Sequence, residues 1–282
     1  MPLDLKVRNA SPQDSQNLSD LIYFGAYVHR HLDWRSPLDW LGHEPFVILE
    51  SGQSLLATLS CPVERSDLAW VRLFAYSVEL DPQNTWDILF EHALKAFSTK
   101  SLPTIVALSL QNWFTHLLLN SDFQHLHNIV VLQWTGELPD KPIINSKYLL
   151  RPMAPGDLPS VKAVDHTAFE RIWQISSWEL QKAYEMSVYA AVIQHEHQII
   201  GYQISTANKK NAHLARLAIQ KGYQGEHLGS ALVFDLLSEF QTRNMDLVTV
   251  NTQHTNHKSL ALYRSMNFLA TNEEFPVLIY AP

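Results

Sequence analysis

The sequence predicts an α/β fold with mixed sheets, arranged as two tandem modules. Strand-like and helix-like runs alternate along all 282 residues. Segments of the first half recur in the second half at a nearly constant offset. A turn-rich stretch, Gly136-Glu-Leu-Pro-Asp-Lys-Pro142, separates the two halves. The length suits two domains of about 140 residues each. The reading is a first module at 1–135, a linker at 136–147 and a second module at 148–282.

The recurrences define the elements in order. Val7-Arg8-Asn9-Ala10-Ser11-Pro12-Gln13-Asp14 matches Leu150-Arg151-Pro152-Met153-Ala154-Pro155-Gly156-Asp157, each residue at an offset of 143. A short strand there leads to a Pro/Asp turn, where Asp can cap a helix. Next, Phe46–Leu49 and Ser54–Leu59 read as two strands joined by a tight turn. Ala190–Ile193 and Gln198–Ile204 read the same way, at an offset of 144. Thr104–Leu108 with a helix ending at Asp122-Phe123 answers Leu247–Val250 with a helix ending at Asn267-Phe268, the ends lying 145 apart. Each module therefore reads strand, helix or helices, hairpin, strand, helix, strand, helix, strand. Hairpins should give antiparallel pairs at one side, with a helix-linked parallel pair in the middle.

Composition narrows the classes. Apolar residues make up 46% of the chain, enough for full cores. A formal charge of −7 argues against a nucleic-acid backbone as partner. Neither an 18-residue apolar run nor a basic-then-apolar leader pattern at the N-terminus is present, so the expectation is a cytoplasmic protein with no membrane partner. Cys61 is the single cysteine, which excludes an internal disulfide and a thiolate metal cage.

Chemistry concentrates in the second half. His213-Leu-Ala-Arg-Leu-Ala-Ile219 reads as a strand and runs through Gln220–Ser230 into an amphipathic helix, Ala231–Phe240. Glycines at such a junction let a ligand approach the backbone. Free N–H groups at the helix start suit a pyrophosphate. A tight turn before a capped helix would carry the same glycines. Further on, Asn256-x-x-Ser259-x-x-x-Tyr263 occupies a helix-length segment that closes at Phe268. Its tyrosine reads either as an acid or as a core aromatic.

Together, Gln224-Gly-Glu-His-Leu-Gly229 and Asn256…Phe268 resemble the GNAT superfamily of acetyl-CoA-dependent N-acyltransferases. The first block looks like that family's Arg/Gln-x-x-Gly-x-Gly/Ala loop, the second like its Asn-x-x-Ser-x-x-x-Tyr-x-x-x-Gly-Phe segment. The resemblance runs from about Tyr148 to Pro282. His227 replaces the usual middle glycine, and Asn267 replaces the glycine before Phe268. With the repeat, the resemblance implies two tandem GNAT-like acyl-CoA N-acyltransferase modules, acetyl-CoA as co-substrate and no metal. It implies that Leu217, Ala218 and Ile219 hold the pantetheine arm through their backbone. It gives the pyrophosphate to amides of Gln224, Gly225, Glu226, His227, Leu228, Gly229 and Ser230. Asn256 would bond the pantetheine side with help from Ser259, and Tyr263 would protonate the departing thiolate.

Amine attack also needs a base. GNAT enzymes that acetylate proteins often carry a Glu on the strand before the phosphate loop, and the matching position here is His213. The residue reads equally as a strand-end histidine. The acceptor would sit near His166–Glu179, where the aromatics Phe169, Trp173 and Trp178 accompany an acidic residue. Such a wall suits a cationic amine of a small molecule or peptide, although core packing is the expectation for Trp178.

The first module reads as a degenerate copy. Its strand Val71–Val78 leads to a glycine-free loop, Glu79–Trp86, and a helix expected from Asp87, with Leu118 standing where Tyr263 does. The His-x-His pairs His29/His31, His125/His127 and His195/His197 lack a third ligand at clear spacing, so no metal site is assigned. Two functions stay open: an N-acetyltransferase acting on a primary amine, or a non-catalytic acyl-CoA-binding or regulatory protein.

Overall fold

A computed structural model describes residues 4–65, 67–97 and 102–282. In chain order the elements are β1 (Leu5–Asn9), α1 (Ser15–Phe24), β2 (Tyr27–Arg30), β3 (Phe46–Ser51), β4 (Ser54–Ser60), β5 (Val63–Arg65), β6 (Leu68–Trp70), β7 (Leu73–Tyr76), α2 (Pro82–Ala96), β8 (Thr104–Leu108), α3 (Asn112–Leu119) and β9 (Phe123–Trp134). Then follow β10 (Tyr148–Pro152), α4 (Leu158–Ala168), α5 (Ser177–Glu185), β11 (Tyr189–His195), β12 (Gln198–Asn208), β13 (Asn211–Ile219), α6 (Leu228–Thr242), β14 (Leu247–Gln253), α7 (His257–Ser265) and β15 (Leu269–Tyr280). Among the described residues no helix is long and apolar enough to cross a membrane.

The chain forms two compact units, one of residues 1–128 and 275–282, the other of residues 129–274. The units thus divide the chain differently from the boundaries read at 135 and 148. Strands β9 and β15 each run through both units, and the 136–147 stretch lies within the second. Its backbone is held there: the Gly136 carbonyl accepts from Gln241, and the Glu137 carbonyl accepts from the Trp134 indole and the Asn267 amide.

In the second unit the strand order is β10-β11-β12-β13-β14-β9-β15. β10 to β13 pair antiparallel, and β13 runs parallel to β14 as the repeat analysis expects. The core on one sheet face joins Val233, Leu236 and Phe240 of α6 to Leu260 and Tyr263 of α7 and to Val248 and Val250 of β14. In the first unit β1-β3-β4-β7-β2 form one sheet, and β5-β6-β8 with the unit's own parts of β15 and β9 form another. Its core is aromatic, with Phe74, Trp86 and Phe114 fully buried together.

The 143-residue repeat has a concrete basis. Arg8 forms a two-pronged ion pair with Asp14, and Arg151 does the same with Asp157. Each Asp also accepts the backbone N–H three residues earlier, at 2.8 Å, from Ser11 and Ala154. The later repeat also holds: Asp122 and Asn267, just before the paired Phe residues, share left-handed φ values of 61° and 63°.

Two expectations for the first unit need correction, and one strand was not foreseen. Helix α2 begins at Pro82, not Asp87, because the Asp81 carboxylate caps it by accepting from Asn84 N–H and proline is preorganised for the first helical position. The strand expected over Val71–Val78 is broken. Val71 N–H bonds the Val106 carbonyl, whereas Arg72 N–H turns to the Ser60 carbonyl, so β6 follows β8 while β7 follows β4. Strand β2 was not anticipated, and it pairs with the other edge of β7.

Candidate active site

The site of the second unit starts from an interrupted strand pair. β13 pairs with β14 through Asn211–Leu214 only, while β14 continues along β9. Among the described residues, the β14-facing edge of Ala215–Ile219 has no strand partner. Leu217, Ala218 and Ile219 stay in register with Gln203, Tyr202 and Gly201 of β12 on their other side. An extended backbone with one free hydrogen-bonding edge can take an extended amide-bearing chain as a further strand.

This edge leads into the loop. A 3-10 turn spans Lys221–Tyr223, and the Gln224 side chain donates back to the Ile219 carbonyl at 3.1 Å. Gly225 has φ +89°, open to glycine and strained for other residues. His227, where a glycine is usual, has φ 58° at the N-cap of α6. Histidine is among the residues that tolerate this region, so the loop keeps the glycine-like path. The first amides of α6, at Leu228, Gly229 and Ser230, lack carbonyl partners within the helix and carry the positive end of its dipole. A methyl group on Gly229 would stand 3.2 Å from Leu262 of α7, which brings the two helices close together here.

The Glu226 side chain turns away towards β10. It accepts from the Tyr148 hydroxyl at 2.6 Å and lies 3.6 Å from the Lys147 ammonium. These contacts hold its carboxyl below the usual range, so the group stays ionised and partly neutralised by Lys147. Only the Glu226 backbone is suited to an anion.

Helix α7 carries the remaining motif residues. The Asn256 side chain accepts from Ser259 N–H at 3.2 Å and caps the helix, which commits its oxygen and leaves its NH₂ group for other partners. Tyr263 is 5% exposed and packs against Phe268 with ring centroids 5.7 Å apart. Burial pushes its phenol well above the ordinary value, which keeps the proton on at neutral pH.

His213 lies on the opposite sheet face from the α6 core. Its Nδ1 is 2.9 Å from the Thr249 hydroxyl, and that hydroxyl donates to the Ala212 carbonyl at 3.3 Å. The threonine has a single proton, so it accepts from an Nδ1–H, and the Nε2 lone pair is left as the basic atom. Burial lowers the imidazole pKa, so the neutral form dominates at neutral pH.

A buried polar cluster escaped the sequence reading. A bulge between Ile204 and Ser205 of β12 leaves Ala215 out of register and sets His213 and Arg216 on one face. Arg216 is 13% exposed, Asp165 of α4 is fully buried, and their ion pair is 2.6 Å long. The Tyr202 hydroxyl donates to the same carboxylate at 2.5 Å, while Arg216 also donates to the Trp173 carbonyl and covers the Phe169 ring at 4.1 Å. Arg216 thereby ties α4, β12 and the Phe169–Trp173 turn together. The available signal was an arginine inside the apolar strand Leu-Ala-Arg-Leu-Ala.

The acceptor wall differs from expectation in two places. Glu179 accepts from Ser176 N–H at 2.6 Å in a capping box, so its carboxylate serves α5. Trp178, expected in the core, is 38% exposed with the Lys182 ammonium 5.8 Å from its ring. Among the described residues no group of three or more His, Cys, Asp or Glu side chains is placed to hold a metal.

Residues 158–268 match the family model described as "Acetyltransferase (GNAT) family". No curated relative matches the chain. Among solved structures, the chain is similar to a tandem GNAT protein from the clavulanic acid biosynthesis pathway, with TM-score 0.69 and 13% identity over 99% of both chains. A GCN5-related N-acetyltransferase from Sphaerobacter thermophilus gives TM-score 0.63 at 13% identity over 98% of this chain and 95% of that one. A GNAT-family acetyltransferase from Colwellia psychrerythraea gives TM-score 0.61 at 10% identity over 99% and 100%. Residues 158–268, which carry the free β13 edge, the glycine loop and Tyr263, match the GNAT acetyltransferase family model, and the chain as a whole has the tandem GNAT fold.

Proposed function

We propose that the second module, residues 148–282, transfers an acetyl group from acetyl-CoA to a primary amine of a small molecule or peptide by direct attack on the thioester. The observation that supports this most is the free edge of β13 from Ala215 to Ile219, continuous with the loop and helix start at Gln224–Ser230. The co-substrate supplies the activated acyl group and a thiolate leaving group. Backbone groups of Leu217, Ala218 and Ile219 align its amide-bearing arm, and the amides from Gln224 to Ser230 take its pyrophosphate. The Asn256 NH₂ group and Ser259 border the same arm. His213 Nε2 removes the proton that the attacking amine must lose, and Tyr263 gives its hydroxyl proton to the departing sulfur. The first module, residues 1–135, is a degenerate copy without this chemistry.

The test is thiol release from acetyl-CoA over a panel of primary amines. Amine-dependent release supports the reading. Binding of acetyl-CoA without turnover on any amine favours a regulatory acyl-CoA-binding protein, and no binding at all rejects both.

A further inference from the structure

The opening between β13 and β14 has two arms of different chemistry. The strands pair with Asn211 opposite Leu247 through to Leu214 opposite Val250, and then part. Ala215–Ile219 is the arm with the free edge, while Asn251–Gln253 continues along β9 as the other arm. Side chains alternate along β14. Val248 and Val250 enter the core with α6 and α7, so Thr249, Asn251 and Gln253 lie on the opposite face. His213 shares that face, since its Nδ1 meets the Thr249 hydroxyl. Thr249 is opposite Gln133 of β9, which brings Gln133 to the same face.

This row is polar without being charged. Asn251 is exposed, and Gln133, Thr249 and Gln253 are half-buried. The side-chain amides of Gln133, Asn251 and Gln253 make no hydrogen bond among the described residues. Each amide therefore keeps both its donor and its acceptor for another molecule. Strands disfavour asparagine, and a sheet face turned to water usually mixes in charged side chains. Local rules are broken in this way where a site needs the residue.

The charges around the row do not favour an anion. On the α4 side Arg216 is matched by Asp165, and Glu170 and Arg171 in the following turn carry opposite charges. Beyond β9 comes β15, with the exposed acids Glu273 and Glu274. Acids there suit an ammonium group and repel a carboxylate.

Building on the acetyl-transfer reading of this site, we propose that Asn251 and Gln253, with Gln133, select the acceptor as an amine whose body bears uncharged hydroxyl or amide groups. The co-substrate takes the β13 arm and the acceptor takes the β14 arm. Asn251 is the diagonal neighbour of His213 on the adjacent strand, at a separation of about 7–8 Å. A short amino alcohol or amino amide, with its nitrogen at His213 Nε2, spans that distance.

The test measures thiol release from acetyl-CoA by the full chain. The acceptors are serinol, its hydroxyl-free counterpart isopropylamine, glycinamide, and glycine as the acid counterpart of glycinamide. The expected result is a higher kcat/KM for serinol over isopropylamine, for glycinamide over glycine, or for both, each referred to the unprotonated amine. Asn251→Val, a substitution that strands favour, should lower that preference about tenfold, the loss of one hydrogen bond. Gln253→Leu should lower it in the same direction and keeps the test valid where Asn251→Val fails to fold. Folding of each variant is checked by Tm and by the Kd for acetyl-CoA. Preference for isopropylamine and glycine would overturn the proposal, as would a preference that neither variant changes. Thiol release with no amine would instead overturn acetyl transfer itself, and this inference with it.

Discussion

Arg216 donates to the fully buried Asp165 carboxylate at 2.6 Å, and the same guanidinium holds the turn at Trp173. Removing one partner of such a pair leaves an uncompensated buried charge. Asp165→Ala should destabilise the second unit by about 3–5 kcal/mol, read as the shift of its denaturant midpoint. The double variant Asp165→Leu with Arg216→Met should recover part of that loss. Equal loss in the single and double variants would contradict the pairing.

The two repeated ion pairs predict acid sensitivity. Arg8 and Arg151 hold Asp14 and Asp157 below the usual carboxylate range. Depressed folded pKa values mean that the unfolded chain binds protons more readily. The stabilisation is therefore complete above the unfolded carboxylate value of about 3.9 and is lost as pH falls further. Both pairs are partly exposed, so each contributes about 1 kcal/mol or less. Arg151→Ala should lower stability at pH 7 and remove its share of the loss below about pH 4, measured by urea unfolding at each pH.

Gly225 has φ +89° in the proposed pyrophosphate loop. Alanine there should add about 1–2 kcal/mol of backbone strain. Acetyl-CoA affinity, measured by calorimetry, should fall about tenfold or more as the loop relaxes to negative φ. An unchanged Kd would mean that the loop does not contact the co-substrate.

His213 titrates below the ordinary histidine value because it is buried. Were it the base, kcat/KM would show an acidic limb below about pH 6.5, the group being active only when neutral. His213→Ala should lower kcat/KM and abolish that limb. A limb that persists in the variant would eliminate the assignment.

Much of this organisation was legible in the sequence because local rules agree with tertiary needs. The repeat at offset 143 was legible, although Asp14 and Asp157 turn out to pair with Arg8 and Arg151 instead of capping α1 and α4 through their side chains, and hairpins β3–β4 and β11–β12 follow from apolar runs around tight turns. Strand β2 was not legible: it has four residues and is defined by the edge of β7 rather than by its own pattern. The passage of β9 and β15 through both units was equally hidden, since alternation identifies a strand but not its neighbours. At the site, Tyr263 and the Gly225–Gly229 loop stood out by spacing. The Arg216–Asp165–Tyr202 cluster brings together residues 37 and 51 positions from Asp165, and only the folded chain joins them.

The account turns on Tyr263. Its counterpart in the first unit, Leu118, is buried in the same kind of helix, so the fold accommodates an apolar side chain there. Burial keeps the Tyr263 phenol protonated, as a proton donor requires. The most direct measurement is acetyl-CoA thiol release with an accepted amine, comparing wild type with Tyr263→Phe at saturating co-substrate. The account predicts that kcat falls about 10²-fold or more while the Kd for acetyl-CoA and Tm stay close to wild type. An unchanged kcat in Tyr263→Phe would contradict it.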